Sequence, residues 1–387
     1  MIVKAKRRLT LWMALLAVLA LVAAACGDDG DTETDTAAED ASAETEEAAT
    51  EEGATEDEGT EDEGEDAATE ATQASGESCF DGETVTFVVS FDAGGGYDLI
   101  ARTMAPYLEE ELGADEVIVE NEPGAGGILA MRNLQAAEPD GTTFGFFTGN
   151  GMVGSVIGGA EGADFNLLED FSWVGRVSSN PRVLSTPGSS EELQTIEDVR
   201  AAEGLKYATA GPGANDYLDA TIMTEILGID SELVTGYTGS SETELALTTG
   251  DVQLASGTVG SRLAAIESGD HNSVLILGGE PAEELPDVPV LLDLDLGEMA
   301  DVAESYVNLQ EMGRMVWAPA GIPEDCLNQL ISAFGTVLEN ETLISQLEAA
   351  DQPIDWAPGD EMRETAQALL DAPPEFQALM EEVYQTG

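Results

Sequence analysis

Basic side chains are scarce in this chain, which has 13 lysine and arginine residues against 78 aspartate and glutamate residues. Four of the basic residues lie in the first eight positions, so residues 79–387 hold nine basic and 56 acidic side chains, a formal net charge of −47. A field of that sign argues against nucleic acid and anionic membrane surfaces as partners. The acidity is typical of adaptation to high salt, and equally of a surface that charge keeps soluble.

Histidine and cysteine are also rare. His271 is the one histidine of the sequence, and its Gly-Asp-His-Asn segment predicts an exposed loop. The three cysteines show no Cys-x-x-Cys spacing. One histidine and no Cys-x-x-Cys spacing argue against a metal site and a thiol enzyme, and a histidine in such a loop is a poor centre for a Ser-His-Asp triad. We therefore predict no metal, no cofactor and no enzymatic activity.

The first 26 residues have the pattern of an export signal. Basic residues are followed by an apolar run over residues 11–22, which is too short to span a membrane stably, and then by Ala23-Ala-Ala-Cys26. A cysteine directly after small residues is typical of a bacterial lipobox, so we predict a signal peptide over residues 1–26 and lipidation of Cys26. Secretion with cleavage nearby is the alternative. Both predict an extracytoplasmic protein, and the lipid would anchor it to the cell membrane.

Residues 27–78 have the composition of a disordered tether. They include 22 acidic residues and no basic or aromatic ones, so they cannot bury a core. As a flexible coil this segment would span about 40 Å root-mean-square, enough to hold the rest of the chain away from a membrane.

The remaining 309 residues are enough for two domains. Residues 85–91, 117–120 and 143–148 read as strands, and helical patterns separate them. This βαβαβ order predicts a parallel sheet with helices on its faces and a ligand site at the carboxyl ends of the strands. A second series of the same kind begins at Val183.

Each series contains a glycine-rich loop directly before a predicted helix, at residues 94–98 and 211–216. Unpaired N–H groups at a helix start attract an anion, and the helix dipole adds to the attraction. A dinucleotide site is the alternative for the first loop. The pattern Gly94-x-Gly96-x-x-Leu99 lacks the third glycine of that fingerprint, however, and an exported protein meets no nicotinamide pool.

Three linked motifs resemble the substrate-binding receptors of tripartite tricarboxylate transporters, the TctC or Bug type. They are Gly94-Gly-Gly-Tyr-Asp98, Val117-Ile-Val-Glu-Asn-Glu-Pro-Gly-Ala-Gly-Gly127 and Pro139-Asp-Gly-Thr-Thr-Phe144. Similar segments continue as far as Trp317-Ala-Pro-Ala-Gly-Ile-Pro323, so the resemblance covers most of residues 82–387. It implies an α/β, two-lobed, periplasmic-binding-protein-like fold of the Venus flytrap type (type II-like) with a hinge. Lobe 1 would comprise residues 79–182 plus 308–387, and lobe 2 residues 183–307.

The resemblance also implies a function. The protein would capture a small carboxylate, such as a di- or tricarboxylate or an aromatic acid, for the membrane permease subunits of a tripartite transporter. It would touch the membrane only through its lipid anchor, and we expect a monomer. A surface sensor that presents its ligand to a signalling kinase is an alternative that the sequence leaves open.

The ligand-binding positions follow from the same resemblance. They are Gly94, Gly95, Gly96, Tyr97, Asp98, Thr148, Gly149, Asn150, Gly211, Gly213, Ala214 and Asn215. Tyr97 stands where the family usually has a hydroxyl residue, so we expect its ring to stack on a flat ligand or to fill space. We expect Asp98 to pair with Arg102 one helical turn later.

Cys79 and Cys326 remain as an even pair once Cys26 is set aside. In an exported protein such a pair predicts a disulfide bond, and two buried free thiols are the alternative.

Overall fold

The structure is a computed structural model that describes residues 78–212 and 214–385. The predicted signal peptide, the predicted tether up to residue 77, Cys26 and Gly213 lie outside the described residues. Within the two described ranges, no helix combines the length and the apolar character needed to cross a bilayer.

Eleven strands and twelve α-helices make up the described part of the chain. The strands are β1 (Thr84–Val89), β2 (Glu116–Asn121), β3 (Thr143–Thr148), β4 (Phe171–Ser178), β5 (Arg182–Pro187), β6 (Leu205–Ala208), β7 (Ser231–Val234), β8 (Leu254–Thr258), β9 (His271–Ile276), β10 (Arg314–Pro319) and β11 (Ala357–Pro358). The helices are α1 (Gly96–Leu112), α2 (Ile128–Gln135), α3 (Gly149–Ile157), α4 (Ile196–Ala201), α5 (Asn215–Leu227), α6 (Ser240–Thr249), α7 (Val259–Glu267), α8 (Ala300–Glu311), α9 (Glu324–Leu338), α10 (Glu341–Glu348), α11 (Gly359–Leu370) and α12 (Pro374–Gln385).

The strands form two sheets. The six-stranded sheet has the order β11-β4-β10-β3-β1-β2, with β1 parallel to β2 and β3 and with β10 antiparallel to β3 and β4. The five-stranded sheet has the order β7-β6-β8-β5-β9, with β6 parallel to β7 and β8 and with β5 antiparallel to its neighbours. The predicted two-lobed α/β fold is confirmed. We call the half around the six-stranded sheet lobe 1 and the half around the five-stranded sheet lobe 2.

The chain crosses between the lobes twice. It leaves lobe 1 after β4 and enters β5 of lobe 2 at Arg182, and it returns through α8 to β10. Helix α8 contacts α3 and α11 of lobe 1 and α5 of lobe 2. Residue 308, where we predict the second crossing, lies inside this helix, and the lobe boundaries stay a prediction.

The first helix, α1, has the buried face that its apolar spacing predicts. Ile100, Met104, Leu108 and Leu112 of α1 are buried at the four-residue spacing of one helix face. Gly113 ends the helix in the left-handed conformation with φ of 69°. The helix begins at Gly96, three residues before the start that the apolar period predicts, because the glycine loop itself provides the first turn.

The last helix, α12, makes contacts in both halves of the molecule. Phe376, Met380 and Val383 of α12 are fully buried, and the helix contacts α3 of lobe 1 as well as α5 of lobe 2. One element therefore packs on both lobes.

The prediction that His271 lies in an exposed loop is wrong. The residue begins β9 and is 3% exposed, and its Nε2 atom lies 3.1 Å from both the Thr248 hydroxyl and the Glu244 carbonyl oxygen. Its neighbours Gly269 and Asp270 do form the turn, but pairing of β9 with β5 brings the imidazole inside.

A disulfide bond joins Cys79 to Cys326, with 5.5 Å between their Cα atoms. Cys79 precedes β1 and Cys326 lies in the first turn of α9, so both belong to lobe 1. The bond ties the segment before the first described strand to a residue 247 positions further along the chain.

Replacing both of these cysteines with serine is expected to lower the free energy of unfolding by about 2–4 kcal/mol, because the bond restricts the unfolded chain. Denaturant titration of the variant and of the wild type measures this. Wild type in reducing agent is the control and should reproduce the variant; unfolding that is insensitive to the reducing agent would contradict the prediction.

Candidate functional site

Three neighbouring cavities lie where the two lobes meet: residues of both lobes line the first two, and residues of lobe 2 line the third. The outer cavity has a volume of about 570 Å³, and its walls include the rings of Phe91, Tyr97 and Tyr384 and the polar side chains of Thr148 and Asn215. The hinge cavity, of about 160 Å³, is lined by Tyr97, Thr148, Asn150, Asn180, Arg182, Asn215, Thr258, Gln310, Gly313 and Arg314. The second-lobe cavity, of about 240 Å³, is lined by Arg182, Ala210, Ala214, Asn215, Asp216, Gly239, Ser240, Thr243, Ser256, Gly257 and Thr258.

Shared walls make these cavities one cleft. Tyr97 and Thr148 line both the outer and the hinge cavity, Arg182 and Thr258 line both the hinge and the second-lobe cavity, and Asn215 lines all three. A ligand in the outer cavity can therefore extend towards the hinge.

The first glycine loop is held in place by Asp98. This carboxylate accepts hydrogen bonds of 2.8 Å from the Gly94 N–H and from Nε of Arg102, whose Nη2 donates to Asn121. Burial by itself would raise the pKa of Asp98, but these hydrogen bonds outweigh it, so the pKa lies below its ordinary value. The predicted pairing of Asp98 with Arg102 is confirmed, and the carboxylate shapes the loop from behind.

The start of α1 offers backbone donors. The first N–H in the hydrogen-bond ladder of this helix belongs to Leu99, which donates to the carbonyl oxygen of the N-cap residue Gly95 at 2.9 Å. The N–H groups of Gly96, Tyr97 and Asp98 lie ahead of that hydrogen-bond ladder, at the positive end of the helix dipole.

Tyr97 packs in an aromatic cluster at the boundary of the outer and hinge cavities. Its ring centroid lies 4.4 Å from that of Phe91 and 4.9 Å from that of Phe146, and the Arg314 guanidinium lies 5.1 Å away. Burial raises the pKa of Tyr97 despite Arg314 and the hydrogen bond with Thr148, so the phenol is neutral. Part of its role is therefore packing, and its remaining surface faces the cleft.

The end of β3 supplies the second polar group. The Thr148 hydroxyl caps α3 by accepting from the Gly151 N–H and donates to Oδ1 of Asn150. Gly149 donates its N–H to the Gly313 carbonyl oxygen at 2.7 Å. A Cβ atom on Gly149 would lie 2.4 Å from the Met312 carbonyl oxygen, so this turn accepts only glycine.

The second glycine loop is held by an acidic residue in the same way as the first. Asp216 in the first turn of α5 accepts from the Ala210 N–H at 3.0 Å, and Gly211 accepts from the Ala214 N–H at 3.1 Å. Burial raises the pKa of Asp216. The side chain of Asn215 reaches across the cleft, where its Oδ1 accepts from Nδ2 of Asn150 at 3.3 Å.

The structure divides the predicted ligand-binding positions into two groups. Tyr97, Thr148, Asn150, Ala214 and Asn215 line the cavities. Six others form the backbone frame behind these side chains: Gly94, Gly95, Gly96, Asp98, Gly149 and Gly211. Gly213 is outside the described residues.

Residues 100–369 match the family described as "Tripartite tricarboxylate transporter family receptor" (TctC). That match spans well over half of the chain. The chain belongs to this receptor family. Its members are solute-binding receptors that work outside the cytoplasm, so the predictions of a receptor, of an extracytoplasmic location and of no enzymatic activity are confirmed.

The receptor is similar to curated proteins over more than half of its length. A UPF0065 protein of Bordetella pertussis is 28% identical over 278 residues, which are 68% of this chain and 79% of the relative. Protein BugT of the same species is 25% identical over 219 residues, which are 55% of this chain and 66% of BugT.

Solved structures show the same fold. A TctC solute-binding protein from Polaromonas superposes with a TM-score of 0.66 at 18% identity, over 78% of this chain and 98% of that one. MatC from Rhodopseudomonas palustris, solved with bound malate, superposes with a TM-score of 0.54 at 24% identity, over 78% and 99% of the two chains. The receptor therefore has the periplasmic-binding-protein architecture that its sequence predicts.

Sequence reasoning missed the two arginines of the receptor's hinge cavity. Arg182 begins β5 and Arg314 begins β10, so each lies where the chain enters a sheet at a lobe crossing. They are two of only nine basic residues in residues 79–387. That scarcity, together with the position of Arg182 at the predicted crossing, was the signal available in the sequence.

Arg182 is held by a buried carboxylate of lobe 2. Its Nε and Nη2 atoms lie 2.7 and 2.5 Å from Oδ2 of Asp219, which is fully buried. The Tyr306 hydroxyl donates to Oδ1 of Asp219 at 2.7 Å, and Nε2 of Gln310 does so at 3.4 Å. Burial alone would lower the pKa of Arg182, but the Asp219 charge outweighs it and raises the pKa, so the guanidinium stays charged.

Proposed function

We propose that this receptor captures a small carboxylate in the cleft between its lobes and delivers it to the permease subunits of a tripartite tricarboxylate transporter. We further propose that it does so from a lipid anchor at Cys26. One observation carries the ligand class. Although residues 79–387 hold 56 acidic side chains, no carboxylate is among the described residues that line the outer and hinge cavities.

The donors of the cleft support the same ligand class. The starts of α1, α3 and α5 border the outer cavity through Tyr97, Gly151 and Asn215, and hydroxyls of Thr148 and Ser155 lie among them. Helix starts and neutral hydroxyl donors bind a carboxylate without needing a cation. Two structurally similar proteins were solved with malate and with adipate.

The outer cavity also has apolar walls. Phe91, Ile128 and Tyr384 line it together with the Tyr97 ring. Burial raises the pKa of Tyr384 to about 12, against the opposing hydrogen bond with Ser155, so its phenol is a neutral donor. A carboxylate with a carbon chain or ring fits such a cavity better than a bare inorganic anion.

Closure of the lobes would complete the site. Lobe 1 contributes the starts of α1 and α3, and lobe 2 contributes the start of α5, so each lobe supplies only part of the polar partners that a desolvated carboxylate needs. We expect saturating carboxylate to make the protein more compact in small-angle X-ray scattering.

Asn215→Asp is the variant that tests the proposed function. It is expected to weaken carboxylate binding at least about tenfold, because it adds a negative charge to a residue that lines all three cavities. The substitution keeps the acceptor for Asn150 and places an acid in the first turn of α5, which the helix dipole favours, so the fold is retained.

The measurement is a thermal-shift screen in high salt of the purified protein against a carboxylate panel that includes malate and adipate. A ligand at about 100 times its dissociation constant adds about 2.7 kcal/mol of stability. Asn328→Asp is the matched control, because it adds the same charge to an exposed residue of α9 in the groove beside the disulfide. A panel without any stabilising carboxylate, or unimpaired binding by Asn215→Asp, would refute the proposal.

A further inference from the structure

The hinge cavity is the most cationic part of the cleft. Arg182 and Arg314 line it, and the rest of its described wall consists of amides, hydroxyls, the Tyr97 phenol and Gly313. Its volume of about 160 Å³ leaves room for one acid group with its nearest carbon atoms. The described wall would present two guanidinium groups and no carboxylate to an anionic group, while the carboxylate of Asp219 lies behind Arg182.

Arg182 lines this cavity, and its guanidinium has one edge that Asp219 does not engage. Asp219 engages its Nε and Nη2 atoms, which leaves the Nη1 amino group for the cavities that Arg182 lines. The side chain is only 9% exposed, so a ligand would meet it with little competing water. A charge-assisted hydrogen bond is strongest under such conditions.

Three elements fix the direction of that edge. Asp219 lies on α5, and Tyr306 and Gln310, which both donate to its carboxylate, lie on α8. Gln310 also accepts from Nδ2 of Asn150 at the start of α3 in lobe 1. The orientation of Arg182 is therefore set by both lobes together with the helix that connects them.

A second buried arginine adds positive charge at the lobe 2 end of the cleft. Arg262 is fully buried and donates to Thr243 Oγ1 and to the carbonyl oxygens of Ser240 and Ser256, three residues that line the second-lobe cavity. Its ion-pair partner Glu244 lies 3.8 Å away. Asp216 lines the second-lobe cavity but not the hinge cavity, so the hinge cavity is the better place for an anion.

We propose that Arg182 is a specificity-determining residue that binds a second anionic group of the ligand in the hinge cavity, so that the receptor selects dicarboxylates over monocarboxylates. The inference rests on the proposed function, because it assumes that the first carboxylate lies in the outer cavity. The shared walls of Tyr97, Thr148 and Asn215 connect the two positions. The carbon chain of the ligand would pass along them.

The test is isothermal titration calorimetry with acids of four to eight carbon atoms. At each chain length, the α,ω-dicarboxylate is compared with the monocarboxylate. Wild type is expected to bind its best dicarboxylate at least about tenfold more tightly than the monocarboxylate of equal length. In the double variant Arg182→Gln/Asp219→Asn, dicarboxylate affinity should fall about 10- to 100-fold while monocarboxylate affinity changes less than about threefold. Removing both charges together avoids leaving either of them buried and unpaired.

The matched control is Arg176→Gln/Asp355→Asn. Arg176 is as buried as Arg182, at 8% exposure, and its Nη2 atom lies 2.8 Å from Asp355, but it lies outside the walls of the three cavities. This control variant should leave the affinities for monocarboxylates and for dicarboxylates unchanged. Equal losses for mono- and dicarboxylates in the Arg182 variant, or no loss, would overturn the inference. If the wild type binds the dicarboxylate and the monocarboxylate equally well, this inference is wrong but the proposed function stands. If the wild type binds neither acid, the proposed function is refuted as well.

Discussion

Asp219→Ala is expected to lower the free energy of unfolding by about 3–5 kcal/mol, because it leaves the buried charge of Arg182 without its partner. Asp219 is fully buried, and the side chain of Arg182 is 9% exposed. Water therefore cannot replace the lost carboxylate at low cost, and the Tyr306 hydroxyl loses its acceptor as well. Denaturant titration of the free energy of unfolding is the measurement.

Two comparisons separate the charge from other causes in this experiment. Asp219→Asn keeps the size of the side chain and an oxygen acceptor, so it should cost less than alanine. Asp164→Ala breaks the ion pair of Asp164 with Arg132, whose side chains are 81% and 44% exposed, and should cost only about 0–1 kcal/mol. Equal losses for Asp219→Ala and Asp164→Ala would show that the buried pair contributes no more than a surface pair.

Raising the salt concentration from about 0.1 M to about 1 M is expected to raise the melting temperature by about 10 °C. The Debye length falls from about 10 Å to about 3 Å over this range, which screens the mutual repulsion of a body with a net charge of −47. A gain of about 6 kcal/mol corresponds to such a shift, because an unfolding entropy of about 2.1 cal/mol/K per residue sums to about 0.65 kcal/mol/K over residues 79–387. Thermal unfolding at several salt concentrations, followed by circular dichroism, is the measurement.

The same screening should raise the association rate of an anionic ligand, since the ligand must approach against the field of the whole protein. Stopped-flow binding of the best carboxylate measures this rate. Near pH 4, close to the isoelectric point of about 4.1, both salt effects should shrink. An unchanged melting temperature with equal or faster binding in low salt would contradict the prediction and favour a cationic or zwitterionic ligand.

Local patterns carried most of the fold prediction. Strand β3 lies at residues 143–148 as predicted, and β1 and β2 lie within two residues of their predicted ends. Side-chain periods of two and near four record which face of an element is buried, and they depend only on neighbours in the sequence. The prediction for His271 was wrong because the residue directly follows a short turn and is the first residue of a strand. Only the pairing of β9 with β5 shows that its side chain is buried.

The sequence by itself determined the class of fold, the receptor family and the two glycine loops at helix starts. It also determined that few basic side chains are present to bind a ligand. Those features are contained in contiguous motifs and in composition. Only the tertiary structure decided which polar groups meet in the cleft. Arg182 and Asp219 are 37 positions apart, and Asn150 and Gln310 are 160 apart, so no sequence period relates them. Their pairing arises because burial requires each polar group to find a partner, and the packing of α5 and α8 between the lobes determines which partner is within reach.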